Sequence, residues 1–455
     1  MDFILAAWLI IYAVNGLVIA RALYLALKGM RIYTLFWGAM LAYHVLPILQ
    51  FSDLAREFRP MTLFSGQVYM LLGNGLLLQL TLALEERCSL PIFNSSKTTF
   101  ETTDALYTRY YVLMALTGAI AIGLRFLSSG LDALYTNWED VRQQGSDISV
   151  TISQFLGFVF FAAPWVAVKQ RKWIWVIVLL ALDAVFFVIS SSRAIVLTLG
   201  CAVVFDLLRS SFTLQKKIAL LLVISMAVFA VHTFARIIRS IGVEQLLSPE
   251  AVTAAVSTDD GTDLSGGEAD MYRSFNVVFE SNRTEYPYRS GVTLIRLLLI
   301  YVPRVGIFSN KPGDITYQIW LDAIYDGYYD ANTYIDKLRE IADYGAPGST
   351  HPTLWGDAYC NLGWLALALY PGLMAVAVTL GESRLASLTP LAASVLQPIL
   401  GITYAFIARG NVVIAVGYIA YVFPVVIMLF LLMRLPVIIP TQKPARNKSL
   451  AWGHF

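Results

Sequence analysis

The segment GSTHPTLWGDAYCNLGW, Gly348 to Trp364, holds the residues best suited to chemistry. His351, one of four histidines, stands six residues before Asp357 at the mouth of an apolar run. An imidazole of ordinary pKa, about 6.5, can accept a proton at neutral pH. Asp357, Tyr359 and Asn361 add polar groups able to position a sugar hydroxyl. A second set of residues is cationic. The stretch from Tyr286 to Asp314 carries Arg289, Arg296, Arg304 and Lys311 among prolines and glycines. The run SSSRA, Ser190 to Ala194, sets three hydroxyls beside Arg193, and Arg409 closes a further apolar run. A guanidinium presents a flat, two-pronged donor face that suits phosphate and stays charged at any physiological pH.

These residues must be positioned by a mostly apolar chain. Of 455 residues, 57% are hydrophobic and only 14% charged, against roughly 25% charged in a soluble domain. Apolar runs of bilayer-crossing length recur from end to end, which predicts an all-α, polytopic transmembrane bundle and argues against a closed barrel. The runs predict helices at about 3–27, 32–50, 61–84, 109–128, 149–168, 173–190, 194–208, 218–235, 353–380, 387–407 and 412–433. Two short basic turns, Lys169 to Lys172 and Arg209 to Lys217, set the orientation by the positive-inside bias. Propagated outward, they predict eleven spans with the N-terminus outside and the C-terminus inside.

Three regions follow: N-terminal spans over 1–235, a large outer connection over 236–352, and C-terminal spans with an inner tail over 353–455. Within the connection, Ser257 to Asp270 is Gly- and Asp-rich and reads as flexible. The apolar patch at 291–303 is too short to cross and reads as re-entrant or interfacial. A connection this long is more often functional than ornamental.

Under this topology the 33 basic residues divide into seventeen inside and sixteen outside. The inner set is eight lysines and nine arginines; the outer set is fourteen arginines with only Lys311 and Lys337. Singly, each outer arginine could pair with a lipid headgroup or with an acid of the same loop. As a group they point to an outward-facing site for an anionic, phosphate-bearing, lipid-linked ligand. The net charge of +2 gives no basis for nucleic-acid binding. Cys88, Cys201 and Cys360 have no CxxC spacing, so neither a disulfide framework nor a zinc site is expected. Nor is there a GxxxxGK[ST] phosphate loop.

The large outer connection, the SSR turn after a mid-chain span, the PR…NKP segment and the H…GD-Y-NLG run opening a late span together resemble the O-antigen polymerases. The last motif is also similar to the histidine segment of O-antigen ligases, with His351, Asp357 and Gly363 at the matching positions. Pro352 stands where the ligases usually carry Asn. The likeness runs over about residues 180–410. It implies a metal-independent, membrane-embedded C-type glycosyltransferase of the bacterial inner membrane, needing no cofactor. Its donor and acceptor would be undecaprenyl-diphosphate-linked oligosaccharides at the periplasmic face, and a chain-length regulator protein is an implied partner. On that reading His351 is the base, with Asp357 or Glu285 as alternatives. Arg193, Arg289, Arg304, Lys311 and Arg409 would hold the diphosphate, while Tyr359 and Asn361 would contact sugar. A ligase acting on a lipid core and a flippase for lipid-linked oligosaccharide remain the competing classes.

Overall fold

The computed structural model describes residues 3–45, 47–48, 51–88, 104–129, 148–190, 193–241, 248–250, 253, 266–284, 294, 297–299, 352–386, 388–410 and 412–433. Among them the helices are α1 Phe3–Lys28, α2 Thr34–Val45, α3 Phe51–Glu57, α4 Pro60–Cys88 and α5 Asp104–Ser129. Next come α6 Ile148–Phe160, α7 Ala163–Lys169, α8 Trp173–Ser190, α9 Arg193–Arg209 and α10 Leu214–Ile241. The series ends with α11 Gly266–Thr284, α12 Thr353–Leu362, α13 Ala366–Ala386, α14 Pro390–Ala408 and α15 Val412–Met433. Eight helical stretches among the described residues are long and apolar enough to cross a bilayer. Their outer faces expose Ile10, Leu17, Leu116, Ile120, Ile177, Leu373 and Leu431, a surface suited to lipid and a liability in water. The chain is a multi-pass helical membrane protein.

Each expected helix has a counterpart, with informative differences. The run expected over 32–50 stops as a helix at Val45, because Pro47 disfavours helical backbone at the residue before it. The 149–168 run breaks between α6 and α7 just ahead of Pro164, which occupies the first turn of α7 where its missing N–H costs nothing. The 353–380 run is two helices, divided by a short 3-10 turn at Gly363–Leu365. Ser257 to Asp270 is not flexible throughout, since Gly266–Asp270 begin α11. A glycine pair and acids read locally as loop, but the apolar residues that follow them seat the helix on the bundle.

Glycines let several helices approach closely, as small residues do between membrane helices. A Cβ built on Gly401 would stand 2.6 Å from the Phe205 ring and 2.8 Å from Leu35. That clearance brings α14 against both α9 and α2.

Polar contacts mark the two ends of the bundle. At one end, Arg31 pairs with Glu85 at 2.9 Å, Lys169 with Asp206 at 2.8 Å and Lys172 with Asp104 at 3.4 Å. Glu382 on α13 is buried there and accepts the backbone N–H groups of Ile32 and, at 3.2 Å, Tyr33. These donors lie just before α2, so the carboxylate both satisfies them and faces the positive end of the helix. The Tyr33 hydroxyl adds a 3.0 Å bond to Glu85. We refer to this as the basic end.

Replacing Glu382 with Ala strands the Ile32 and Tyr33 N–H groups in the interior, at about 1–3 kcal/mol for each unsatisfied group. Thermal unfolding of purified Glu382→Ala in detergent is expected to show a clearly lowered midpoint. An unchanged midpoint would refute the latch.

Candidate functional site

The opposite end is organised around α12. Every residue from Thr353 to Asn361 is buried, so this short helix lies inside the protein. Its backbone ends are satisfied by neighbours, as burial requires. The Thr353 N–H donates to the Arg409 carbonyl at 3.2 Å. Thr353 adopts φ 65° and Gly410 φ 91°, both left-handed and unusual for the threonine. A Cβ on Gly410 would fall 2.3 Å from the Thr353 carbonyl oxygen, so only glycine permits the turn between α14 and α15 to clamp the start of α12. At the other end Gly363, with φ 57°, terminates the helix, and its carbonyl accepts the Tyr69 hydroxyl at 3.1 Å.

Asp357 sits on this helix, 1% exposed. The Tyr370 hydroxyl of α13 donates to its Oδ2 at 3.2 Å. Asn361 Nδ2 donates to the Asp357 carbonyl at 3.0 Å and reaches Oδ1 at 3.5 Å. Both of these donors are neutral, and together they orient the carboxyl. On the adjoining face Trp355 Nε1 donates to Asn74 Oδ1 at 2.8 Å, and Asn74 Nδ2 donates to Asn15 Oδ1 at 2.9 Å. The Trp355 ring lies over Gly73, where a Cβ would come within 2.7 Å of it.

The helix α11 of the long connection covers α12. Its buried residues Tyr272, Phe275, Asn276 and Phe279 recur at helical spacing, forming one apolar face with a polar seam. Tyr272 accepts from Trp8 Nε1 at 3.1 Å and donates to Gln67 Oε1 at 2.9 Å. Burial pushes the Tyr272 pKa up, keeping its hydroxyl neutral and able to fill both roles. Phe279 stacks on Tyr359 with centroids 4.2 Å apart, and Tyr69 meets Tyr359 edge-on at 5.1 Å. Two ion pairs fasten the exposed side, Arg273 with Glu57 at 2.8 Å and Arg59 with Glu280 at 3.4 Å.

The buried seam retains spare hydrogen-bonding capacity. Asn15 Nδ2, Gln67 Nε2, Asn276 Oδ1, Thr353 Oγ1 and Arg409 Nε have no hydrogen-bond partner among the described residues. Polar groups left so in an apolar interior are costly, and in membrane proteins they mark ligand paths.

The structure thus brings Asp357, Tyr359, Asn361 and the Arg409 backbone together. Tyr359, expected to meet sugar, is 1% exposed, with one ring face taken by Phe279. Arg193 opens α9, and its side chain is outside the described residues, as are His351, Glu285, Arg289, Arg304 and Lys311. Near the end of α8, buried Arg125 donates to the Ile189 carbonyl at 3.4 Å. The sequence reading missed Tyr370, Gln67, Asn74 and Tyr272. The available signal was the presence of amides inside otherwise apolar spans. No three His, Cys, Asp or Glu side chains among the described residues group as a metal site. The chain matches no family model, and no curated protein or solved structure matches it significantly.

Enlarging Gly73 to Val drives methyl groups into the Trp355 ring, an overpacking typically costing about 1–3 kcal/mol. Gly73→Val is expected to unfold at a lower temperature in detergent than wild type. Gly75→Val, at a glycine whose Cβ would meet nothing within 4 Å, is the matched control. Equal midpoints for the two variants would rule out the close contact.

Proposed function

We propose that the chain polymerises lipid-linked oligosaccharide repeat units into a surface polysaccharide such as O-antigen, as its resemblance to the O-antigen polymerases implies. The observation that carries this reading is the buried seat of Asp357. The part of that motif from Thr353 to Leu362, which includes Asp357, folds as an internal helix, roofed by α11 and bonded through its backbone to Arg409. The reading also takes the bundle as eleven crossings of the inner membrane. The basic end then faces the cytoplasm and α12 the periplasm, in keeping with the positive-inside bias.

In the proposed reaction, a hydroxyl oxygen of one lipid-linked repeat attacks the anomeric carbon of the growing glycan. The bond from that carbon to the diphosphate breaks, and undecaprenyl diphosphate leaves with the electron pair. The hydroxyl proton passes to His351, with Asp357 or Glu285 as alternative acceptors. Arg193, Arg289, Arg304, Lys311 and Arg409 stabilise charge developing on the departing diphosphate, where preorganised donors act most strongly. Asp357, held by Tyr370 and Asn361, fixes the acceptor hydroxyl, and Tyr359 and Asn361 line the sugar path. A chain-length regulator would act on the same bundle from outside the active site.

The test is a reaction of purified protein with a lipid-diphosphate-linked oligosaccharide, resolved by gel without added nucleotide. A ladder of repeats is expected. Arg289→Ala and Arg409→Ala should each lower its rate by about 10²–10³-fold, as loss of one charge-stabilising donor does elsewhere. Protein that binds this lipid yet forms no ladder would shift the assignment to ligation or transport.

A further inference from the structure

Near the basic end, α13, α14 and α15 leave a groove of about 770 Å³ between them. Its walls include Leu385, Leu396, Leu400, Val426 and Phe430, and among the described residues the only charged or polar side chain lining it is Arg384. Packed interiors do not leave space on this scale, and the volume falls within the roughly 300–1,000 Å³ typical of ligand pockets. Arg384 occupies the last turn of α13, on the helix whose Glu382 is engaged by the α2 backbone at the same end. Its exposed side chain therefore stands at the basic end of the bundle, beside an apolar trough.

We propose that this groove binds an acidic glycerophospholipid from the surrounding leaflet, with its phosphate on Arg384 and its acyl chains between α14 and α15. Charge complementarity selects the headgroup. A net-negative lipid gains from the Arg384 charge, whereas a zwitterionic one gains little. The apolar walls select the tails. The site lies at the opposite end of the bundle from α12 and involves none of the residues assigned to glycan transfer.

Native mass spectrometry of the detergent-purified full chain, titrated with phosphatidylglycerol or phosphatidylcholine, reads the preference directly. Wild type is expected to retain phosphatidylglycerol over phosphatidylcholine. Arg384→Gln should bind phosphatidylglycerol about five-fold more weakly, the loss of one surface cation. Leu400→Trp should fill the trough and lose both lipids. A diazirine on the acyl chain of phosphatidylglycerol provides a test on unmodified protein, with crosslinks expected on peptides of α14 and α15. Equal binding of the two lipids, an undiminished preference in Arg384→Gln, or crosslinks confined to other helices would each overturn the proposal.

Discussion

A helix that begins and ends inside a protein must hand its unpaired backbone groups to something other than water, and α12 is such a helix. Its first N–H is taken by the Arg409 carbonyl and the carbonyl at its terminus by Tyr69. Both solutions require partners on other helices, so the positions of α4, α14 and the turn at Gly410 are all bound to this one segment. The indole of Trp355 extends the dependence to Asn74 and Asn15. Non-helical backbone in membrane proteins is tolerated where protein surrounds it, and here the surroundings are α4, α11, α13 and α14.

Much of the scaffold was legible in the sequence because a bilayer imposes a simple rule: spans must be long, apolar and internally hydrogen-bonded. The boundaries of α8, α9 and α15 lie within a residue or two of the hydropathy reading. Errors occurred where local chemistry interrupted a run. Pro47 shortened α2, Pro164 divided α6 from α7, and Gly363 separated α12 from α13, each at a residue known to end helices. The helical start of α11 could not be read in this way. Gly266 and Gly267 oppose helix formation by about 1 kcal/mol each, and only the docking of Tyr272, Phe275 and Phe279 on distant spans offsets that.

The candidate site was legible only as a set of residue types. Asp357 and Asn361 stand four apart, so their meeting on one helix face follows from the helical period. The approach of Tyr370 does not, because it depends on the chain folding back through the Gly363 turn. Likewise Gln67 and Asn74 meant little in isolation. Their significance comes from Tyr272 and Trp355, which reach them from α11 and from α12. The arginines reveal the same limit: sequence could assign them to one side, while grouping them around a cavity needs coordinates.

The roof formed by α11 also has a temporal aspect. Tyr272 bonds Gln67 across 205 residues of chain and Trp8 across 264. A ribosome adds about 5–20 residues per second, so the amide on α4 waits on the order of 10–40 s after its own synthesis before its partner exists. Until then Trp8 on α1 and Gln67 on α4 lack the hydroxyl that joins them in the finished protein, whereas Asn15 and Asn74 can already pair. The contacts that complete the α12 end of the protein are therefore the last of its long-range bonds from α1 and α4 to become available.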